Sequence, residues 1–485
     1  MNGSEDGLLL ASAEAECNDV HIDGFRYGVQ LSNATVNFSD CTLSSISDSA
    51  ILLHSASTIA LTGCVVAGGQ YGINSHSTQH SLNITDCSFT NNTAAGIHLD
   101  DFYSVYTDAV TSAILTLHRN RFYGNARAVH FRQNVEVDVL VEATENVIEA
   151  GSTSDENDIS VSGIYVDLEK VGSKAHLILR GNAFRNLPYS AVSFSRCHDS
   201  PSLGNHSTSV TGNNFTSVYR TAVAIACADA TATLIQGNTF LQNRMNVGSS
   251  CLNISSTAEI GNNSSAELRV ESNEFRENGG TYVVMVIRSG HSSLSSPGGV
   301  PRISEFVSNT LVDNFPDDSA IYSENSDLRM HYNEFSNKKT PFELRVGFPT
   351  NEVANCTLNW WSVNTEVGIA SRIFDHSDST GVGSVLFVPF LNTSSFQFSC
   401  LSLSECSGHG ACIYVDVCLC DAGWSGLDCS EFSCVDVYGC SNRGRCVGPN
   451  LCQCTSGWLQ PDCSRASCLL RNNCSNRGVC SLPNV

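Results

Sequence analysis

Residues 64–99 read CVVAGGQYGINSHSTQHSLNITDCSFTNNTAAGIHL, and this stretch contains the repeat that decides the fold. It begins with a cysteine followed two residues later by an apolar residue, and the short apolar strand Gly72-Ile73 comes next. The cysteine motif returns 23 residues later, at Cys87, and the apolar strand returns 24 residues later, at Gly96-Ile97. Because a strand this short cannot bury a face by itself, successive copies have to stack on one another.

An asparagine replaces the cysteine in later copies of this motif. The asparagine and the apolar residue two positions later have the same parity in a strand, so both are expected to point inward. A buried amide can bond to the backbone or to the amide of the next copy, which satisfies polar atoms that are costly to bury. Copies stacked about 4.8 Å apart then form one continuous interior. The motif begins at Cys41, Cys64, Cys87, Asn120, Asn146, Asn182, Asn213, Asn238, Asn273, Asn309, Asn333 and Asn359.

Two all-β folds compete for these repeats. A sandwich of two sheets predicts hairpin dipeptides and gives no reason for one asparagine per repeat. The repeats instead resemble the right-handed parallel β-helix of the pectate-lyase-like superfamily. The tract from Asn359-Trp360-Trp361 to Val388-Pro389-Phe390-Leu391 resembles the terminal coil of extracellular β-helix proteins. The resemblance implies an all-β fold in which residues 1–395 form a right-handed parallel β-helix solenoid of about 12 coils.

Fifteen of the 23 cysteines lie between Cys400 and Cys480 and repeat with a period of 34 residues. The segment is short and poor in large aliphatic residues, so we expect disulfides to stabilise it. A zinc site is the alternative, and the single histidine of the segment, His409, disfavours it. The spacing C-x5-C-x5-C-x5-C-x-C-x8-C resembles small disulfide-rich EGF-like modules of the short tenascin type. This resemblance implies modules at 400–429 and 434–463 and a truncated third module at 468–485.

Cysteine spacing alone does not select a pairing within these modules. The resemblance implies that the first cysteine pairs with the third, the second with the fourth, and the fifth with the sixth. By the same resemblance, calcium-binding members carry an Asp-x-Asp/Asn-Glu-type stretch ahead of the first cysteine, whereas this chain has Gln397-Phe398-Ser399 and Glu431-Phe432-Ser433 there, so we expect no calcium in these modules. We also expect no other metal and no cofactor. The implied pairs are Cys400–Cys412, Cys406–Cys418, Cys420–Cys429, Cys434–Cys446, Cys440–Cys452, Cys454–Cys463 and Cys468–Cys480, which leaves Cys474 over.

Eight further cysteines lie in the predicted solenoid. Neighbouring coils place Cα atoms about 4.8 Å apart, which is within disulfide range, although stacked side chains favour a poor dihedral angle. The sequence therefore leaves both bridges between coils and a stack of buried thiols open. Cys197 and Cys227 follow equivalent strands and are a second candidate pair. The undecided cysteines are Cys17, Cys41, Cys64, Cys87, Cys197, Cys227, Cys251 and Cys356.

The composition limits the location and the partners. The chain has 48 acidic and 26 basic residues and a net charge of −22, which argues against a nucleic-acid partner. The start of the chain has no basic n-region, and no apolar run reaches the roughly 18 residues that span a bilayer. The cysteines nevertheless indicate an oxidising compartment. We expect a fragment of a secreted or cell-surface ectodomain, attached to a membrane only through an anchor outside the fragment.

Glycosylation is compatible with this location. Thirteen Asn-x-Ser/Thr sites occur, and chance accounts for a substantial fraction in a chain so rich in Ser and Thr. The candidates are Asn33, Asn83, Asn205, Asn214, Asn253 and Asn392; the other sites are Asn2, Asn37, Asn91, Asn262, Asn263, Asn355 and Asn473.

Catalytic signatures of polysaccharide-cleaving β-helices are weak in this chain. The one Gly-His-Gly, Gly408-His409-Gly410, lies between two cysteines of an EGF-like module, and no Arg-x-Pro-x-x-Arg occurs. Outward strand positions alternate with inward ones and form columns on successive coils. One predicted outward column contains Asn74, His98, His130 and Tyr165, and its neighbour contains His76, Asp100, Arg132 and Asp167. Later coils are predicted to continue these columns with Ser193, Ser195, Ala224, Ala226, Val284 and Val286.

This polar patch has three interpretations. Asp100 and Asp167 would lie two coils apart, roughly 9.6 Å, near the upper limit for an inverting glycosidase. Arg132 between them favours an ion-pair ladder and disfavours the protonated form that a general acid needs. A solvated or glycan-contacting surface is therefore favoured over catalysis and over a metal site of His98, Asp100 and His130.

We expect a non-enzymatic extracellular interaction or adhesion protein, with the EGF-like array as a spacer. The β-helix wall would bind an extracellular protein or glycan through His98, Asp100, His130, Arg132, Tyr165 and Asp167. The alternative is a polysaccharide lyase or glycoside hydrolase acting at Asp100, Arg132 and Asp167.

Overall fold

A computed structural model gives the fold as two compact units, Met1–Ser394 and Ser395–Val485. The structure describes residues 6–54, 57–75, 80–100, 112–133, 138–151, 161–168, 174–195, 205–226, 232–246, 248–256, 268–288, 304–324, 328–393, 401–414, 417–434, 437, 440–441, 443–459 and 462–467.

The first unit is a parallel β-helix with three long sheets, here called A, B and C, and each coil contributes strands in that order. Among the described residues, sheets A and B have 14 strands each and sheet C has 12. The strands of sheet A are Asp6–Ala11, Tyr27–Ser32, Ser49–Leu53, Tyr71–Ser75, Ala95–Asp100, Arg127–Gln133, Ser162–Leu168, Ser190–Ser195, Thr221–Ile225, Ser250–Ser256, Gly279–Arg288, Phe315–Ser323, Phe342–Val346 and Ile373–Phe374.

Sheets B and C complete each coil, and sheet C is built from strands of three residues. The strands of sheet B are Glu14–Asn18, Thr35–Ser39, Thr58–Thr62, Ser81–Thr85, Ser112–His118, Asp138–Thr144, Lys174–Arg180, Asn205–Thr211, Ala232–Gln236, Leu268–Glu271, Ser304–Val307, Leu328–His331, Val353–Asn355 and Ser384–Leu386. The strands of sheet C are His21–Asp23, Thr42–Ser44, Val65–Ala67, Ser88–Thr90, Arg121–Tyr123, Val147–Glu149, Ala183–Arg185, Asn214–Thr216, Thr239–Leu241, Glu274–Arg276, Thr310–Val312 and Glu334–Ser336. A short helix, Glu366–Ala370, lies near the end of the unit.

The recurring asparagine marks the corner between sheets B and C and forms a buried ladder. The amide Nδ2 of Asn238 donates to Oδ1 of Asn273 on the next coil (2.9 Å) and to the Val210 carbonyl (2.8 Å). The backbone N–H of Asn238 also donates to Oδ1 of Asn273 (2.9 Å). The same contacts run from Asn120 to Asn359, so the motif fixes the register of the coils, as the sequence predicts.

The residue two positions after each asparagine fills the interior beside sheet C. The Phe215 and Phe240 rings stack with centroids 4.9 Å apart, and the Phe240 and Phe275 rings are 4.5 Å apart. These side chains are fully buried, and Trp361 ends the column by stacking on Phe335 at 4.7 Å. Aromatic stacking and apolar burial therefore both favour the coil spacing that the ladder sets.

The cysteines that replace asparagine in the first coils are free thiols within the described residues. The backbone N–H of Cys64 donates to Sγ of Cys87 (3.3 Å), and the N–H of Cys87 donates to Oδ1 of Asn120 (2.9 Å). The thiols thus continue the ladder instead of bridging the coils. Burial raises the pKa of the Cys41 thiol, and the hydrogen bond with Cys64, followed by burial, raises the pKa of the Cys87 thiol, so both thiols stay protonated. Cys251 and Cys356 are also buried thiols, and Cys197 and Cys227 lie outside the described residues.

A second asparagine ladder, which the sequence analysis missed, lines the corner between sheets C and A. Asn243 donates through Nδ2 to Oδ1 of Asn278 (2.9 Å), and Asn314 does the same to Asn337 (2.9 Å). The ladder ends on Glu343, which is fully buried and accepts from the N–H and Nδ2 of Asn337. These asparagines follow those of the first ladder by four or five residues, a spacing visible in the sequence.

The second unit contains two similar modules, each with two short antiparallel hairpins. Five disulfides join cysteines that the EGF-like resemblance pairs; Cys400, Cys468, Cys474, Cys480 and the side chain of Cys412 lie outside the described residues. The His409 ring stacks on Trp424 with centroids 3.5 Å apart. The bridges are Cys406–Cys418, Cys420–Cys429, Cys434–Cys446, Cys440–Cys452 and Cys454–Cys463. The elements are the 3₁₀ helix Leu401–Gly408 and the strands Gly410–Tyr414, Val417–Cys420, Trp424–Ser425, Glu431–Phe432, Gly444–Gly448, Leu451–Cys454, Trp458–Leu459 and Arg465–Ala466.

Candidate functional site

The outer face of sheet A carries the aromatic column, which we define as Tyr71, His98, His130 and Tyr165. His98 pairs in register with His130, and His130 pairs with Tyr165, on successive strands. Ring centroids are 5.0 Å apart for Tyr71 and His98, 4.8 Å for His98 and His130, and 5.3 Å for His130 and Tyr165. The residue before each of the last three rings, Ile97, Val129 or Ile164, points into the core. Because side chains alternate between the two faces of a strand, the rings that follow point outward.

The neighbouring column brings Asp100, Arg132 and Asp167 into register on the same three strands. Nε of Arg132 lies 3.9 Å from Oδ2 of Asp167, and the Tyr165 hydroxyl donates to the same oxygen at 3.4 Å. Strand alternation predicts a solvent-exposed Asp167 side chain. In the structure this side chain is only 3% exposed and is buried in the wall of the β-helix. His76, the first predicted member of this column, lies outside the described residues.

His130 is held as a neutral imidazole. Its Nδ1 lies 3.2 Å from Nδ1 of His98 and 3.4 Å from Nη1 of Arg127. Burial lowers the pKa of His130 to about 3, and the neighbouring His98, Arg127 and Arg132 charges add to the shift. The buried ring is therefore uncharged near neutral pH and is a weak base there.

His98 and His130 are also two of the three residues in the metal site considered from the sequence. Ligand atoms of His98, Asp100 and His130 lie within 4.8 Å of one another. Two nearby guanidinium groups, Arg127 and Arg132, repel a cation at this position. The electrostatics thus disfavour a metal ion at this position.

The structure corrects the predicted continuation of the outward columns. Ser193 and Ala224 follow Tyr165, but the strand 279–288 presents Met285, and Val284 and Val286 are buried in the core. Val284 pairs in register with Leu252, which points into the core, so Val284 also points inward and Met285 takes the outward position.

Beyond Met285 the outer column becomes aromatic again, which the sequence analysis missed. Tyr322, Arg345 and Phe374 follow one another in register. Tyr322 stacks on Tyr282 with centroids 4.8 Å apart, and the Arg345 guanidinium lies 4.0 Å above the Phe374 ring. Four non-aromatic residues therefore separate two aromatic patches on one sheet face; they are Ser193, Ala224, Asn253 and Met285.

The glycosylation candidates differ in position. Asn33, Asn83, Asn214 and Asn392 are exposed, and Asn253 is half-buried on sheet A. Asn205 begins a strand of sheet B, and its side chain lies outside the described residues. The exposed candidates on strands lie on sheets B and C, away from the aromatic column.

The neutral state of His130 predicts a pH-dependent stability. Since the pKa of His130 is about 3 in the folded protein and ordinarily about 6.5, its contribution is complete above pH 6.5 and is lost as the pH falls toward 3. Between pH 7 and pH 5 the wild type should lose about 2 kcal/mol more unfolding free energy than His130→Gln. Urea unfolding at both pH values measures this. The exposed His376→Gln should behave like wild type, and parallel losses in all three proteins would contradict the prediction.

A family model described as right handed beta helix region matches residues 6–164, and a teneurin-like EGF domain model matches residues 404–432. Searches of curated proteins and of solved structures gave no significant match. The domains are those of an extracellular-type protein. This chain is a right-handed parallel β-helix protein followed by disulfide-rich EGF-like modules. Among the described residues no helix is long and apolar enough to cross a membrane.

Proposed function

We propose that the chain is a non-enzymatic extracellular or cell-surface recognition protein whose sheet A face binds a glycan, with the EGF-like modules as a spacer. The observation that carries this proposal is the aromatic column, whose rings follow one another at 4.8–5.3 Å. Aromatic side chains pack against the C–H groups of sugars, and the partly exposed rings of Tyr71, His98 and Tyr165 can make such contacts. The buried His130 ring lies between His98 and Tyr165 and supports them. The net charge of −22 argues against a nucleic acid as the partner.

Polar groups beside the column supply the hydrogen bonds that orient such a ligand. Asp100 is partly exposed and can accept from sugar hydroxyls, and the half-buried Arg132 can donate. The buried Asp167 carboxylate holds Arg132, which lowers the entropy lost when the ligand binds. The combination of fixed ring faces and a few polar groups is typical of a binding surface.

Catalysis at this face has weaker support. Asp100 and Asp167 are two strands apart, roughly 9.6 Å, and Asp167 is committed to its ion pair with Arg132. His130, one of the two histidines on this face, has a pKa of about 3 and accepts protons poorly at neutral pH. A lyase or hydrolase therefore stays the second candidate.

A glycan array followed by titration tests the proposal. The 485-residue chain should bind at least one glycan, and Tyr165→Ala should weaken that binding about tenfold or more, because the ring contact is lost. Tyr123→Ala removes an equally partly exposed tyrosine from sheet C and should leave the affinity unchanged. An empty array, or equal losses in both variants, would contradict the proposal.

Incubation with acidic and neutral polysaccharides separates binding from catalysis. We expect no new reducing ends and no unsaturated products. Turnover by the wild type that disappears in Asp100→Asn would establish the enzymatic alternative instead.

A further inference from the structure

A second surface lies on the β-helix at the corner between sheets C and A, in the coils that contain residues 217–339. Equivalent turn positions of successive coils form a groove of about 630 Å³ there. Asn314 of the second asparagine ladder lines it; this residue accepts from Nδ2 of Asn278 and donates through its own Nδ2 to Oδ1 of Asn337, each at 2.9 Å. Because buried, fully paired amides fix these turns, the side chains beside them project from a rigid base.

Three cations converge on this groove in a strongly acidic protein. Arg244, Lys338 and Lys339 line it, and all three are exposed. The whole chain has four lysines, so half of them are here, against a net charge of −22. In the described part of the structure, none of these three cations has a carboxylate within ion-pair distance. Their charge is therefore available to an anionic ligand.

Two aromatic side chains flank the cations. Phe315 is 37% exposed, a high value for a phenylalanine, and Tyr219 is partly exposed. Nζ of Lys339 lies 5.9 Å from the Phe315 ring centroid, so one charge and one apolar face lie side by side. A ligand that satisfies both needs an anionic group next to an apolar ring face.

The remaining polar groups of the groove distinguish between kinds of anion. Glu277 accepts from Nε2 of Gln242 at 2.9 Å, and Asp313 is exposed in the next coil. Carboxylates repel a bare anion but accept hydrogen bonds from hydroxyl groups. The groove therefore favours a ligand with hydroxyls as well as negative charge.

We infer that this groove binds an anionic saccharide, a sugar chain that carries carboxylate or sulfate groups. The cations bind the anionic groups, Tyr219 and Phe315 contact ring faces, and Glu277 and Asp313 accept from hydroxyls. None of these residues belongs to the aromatic column, so the inference does not depend on the glycan site proposed for sheet A.

Calorimetric titration of the full chain with tetrasaccharides of equal length tests the inference. The probes are a neutral, a uronate-containing and a sulfated tetrasaccharide, together with inorganic sulfate. We expect at least one anionic tetrasaccharide to bind, and inorganic sulfate to bind at least tenfold more weakly. Lys338→Gln/Lys339→Gln should weaken the anionic tetrasaccharide at least tenfold, and Tyr219→Ser should weaken it severalfold without a change of charge.

A matched variant separates this groove from general electrostatics. Arg180→Gln/Arg329→Gln removes two exposed positive charges from sheet B and should change the affinity less than twofold. Tyr165→Ala should also leave this binding intact, which keeps the outcome separate from the sheet A proposal. No binding of either anionic tetrasaccharide, equal affinity for inorganic sulfate, or an equal loss in the Arg180/Arg329 variant would overturn the inference.

Discussion

Asn238→Leu should lower the free energy of unfolding by about 3–6 kcal/mol. The wild-type Oδ1 accepts from the N–H and Nδ2 of Asn213, and the wild-type Nδ2 donates to the Val210 carbonyl. Leucine removes these contacts, so the Asn213 N–H loses its acceptor and the Val210 carbonyl and Nδ2 of Asn213 each lose one hydrogen bond. Each buried polar group left unpaired costs about 1–3 kcal/mol, and Nδ2 of Asn213 keeps its bond to the Leu179 carbonyl. Urea denaturation followed by circular dichroism measures the loss.

Two further variants make this result specific to the ladder. Asn238→Cys should cost clearly less than Asn238→Leu, because Sγ of Cys87 accepts from the Cys64 N–H in the same ladder. Thr239→Ala, at the neighbouring outward position, should stay within about 0.5 kcal/mol of wild type. A leucine variant as stable as Thr239→Ala would show that the ladder contributes nothing measurable.

Arg372→Ala should lower the free energy of unfolding by about 3–5 kcal/mol at pH 8. Arg372 pairs with the fully buried Glu343 and donates through Nη2 to the Asn337 carbonyl at 2.6 Å. Removal of the guanidinium leaves a buried carboxylate without its counter-charge at the end of the second ladder. Denaturant unfolding of the full chain measures the effect.

The penalty of Arg372→Ala should shrink when the pH is lowered to 5. Burial raises the pKa of Glu343, and Arg372 and the Asn337 donors offset part of the rise. With the folded pKa above the unfolded one, the contribution of Glu343 is complete below its ordinary pKa and is lost as the pH rises through the folded value. Without the Arg372 guanidinium, the pKa of Glu343 in the folded variant is higher than in the folded wild type. At pH 5 a larger fraction of Glu343 is therefore protonated in the variant, and less buried charge remains.

Two further variants serve as controls for Arg372→Ala: a second substitution at Glu343 and the loss of an exposed ion pair. Glu343→Gln should recover part of the stability of Arg372→Ala, since it removes the unpaired charge. Arg119→Ala, which breaks the exposed ion pair with Asp86, should cost much less and depend on salt. A loss from Arg372→Ala that is equal at both pH values would contradict the role given to Glu343.

The aromatic column shows how much of the candidate site local sequence patterns can predict. His98, His130 and Tyr165 occupy outward positions because strand alternation and the asparagine marks together define a register that the structure reproduces. The alignment failed at Met285, where two apolar neighbours hide which parity faces the core. The second aromatic patch around Tyr322 was missed for the same reason, since it follows that strand.

The sequence by itself determined the stacked all-β solenoid, the register of most of its coils and the disulfide-rich C-terminal modules. These features repeat at fixed positions, and each copy must hydrogen-bond the next. Only the tertiary structure decided that Asp167 is buried, that the first four solenoid cysteines stay unbridged, and that Arg244 and Lys339 share a groove. Such properties depend on the distance between side chains from different coils. Because the loops between coils vary in length, a local sequence pattern does not give that distance.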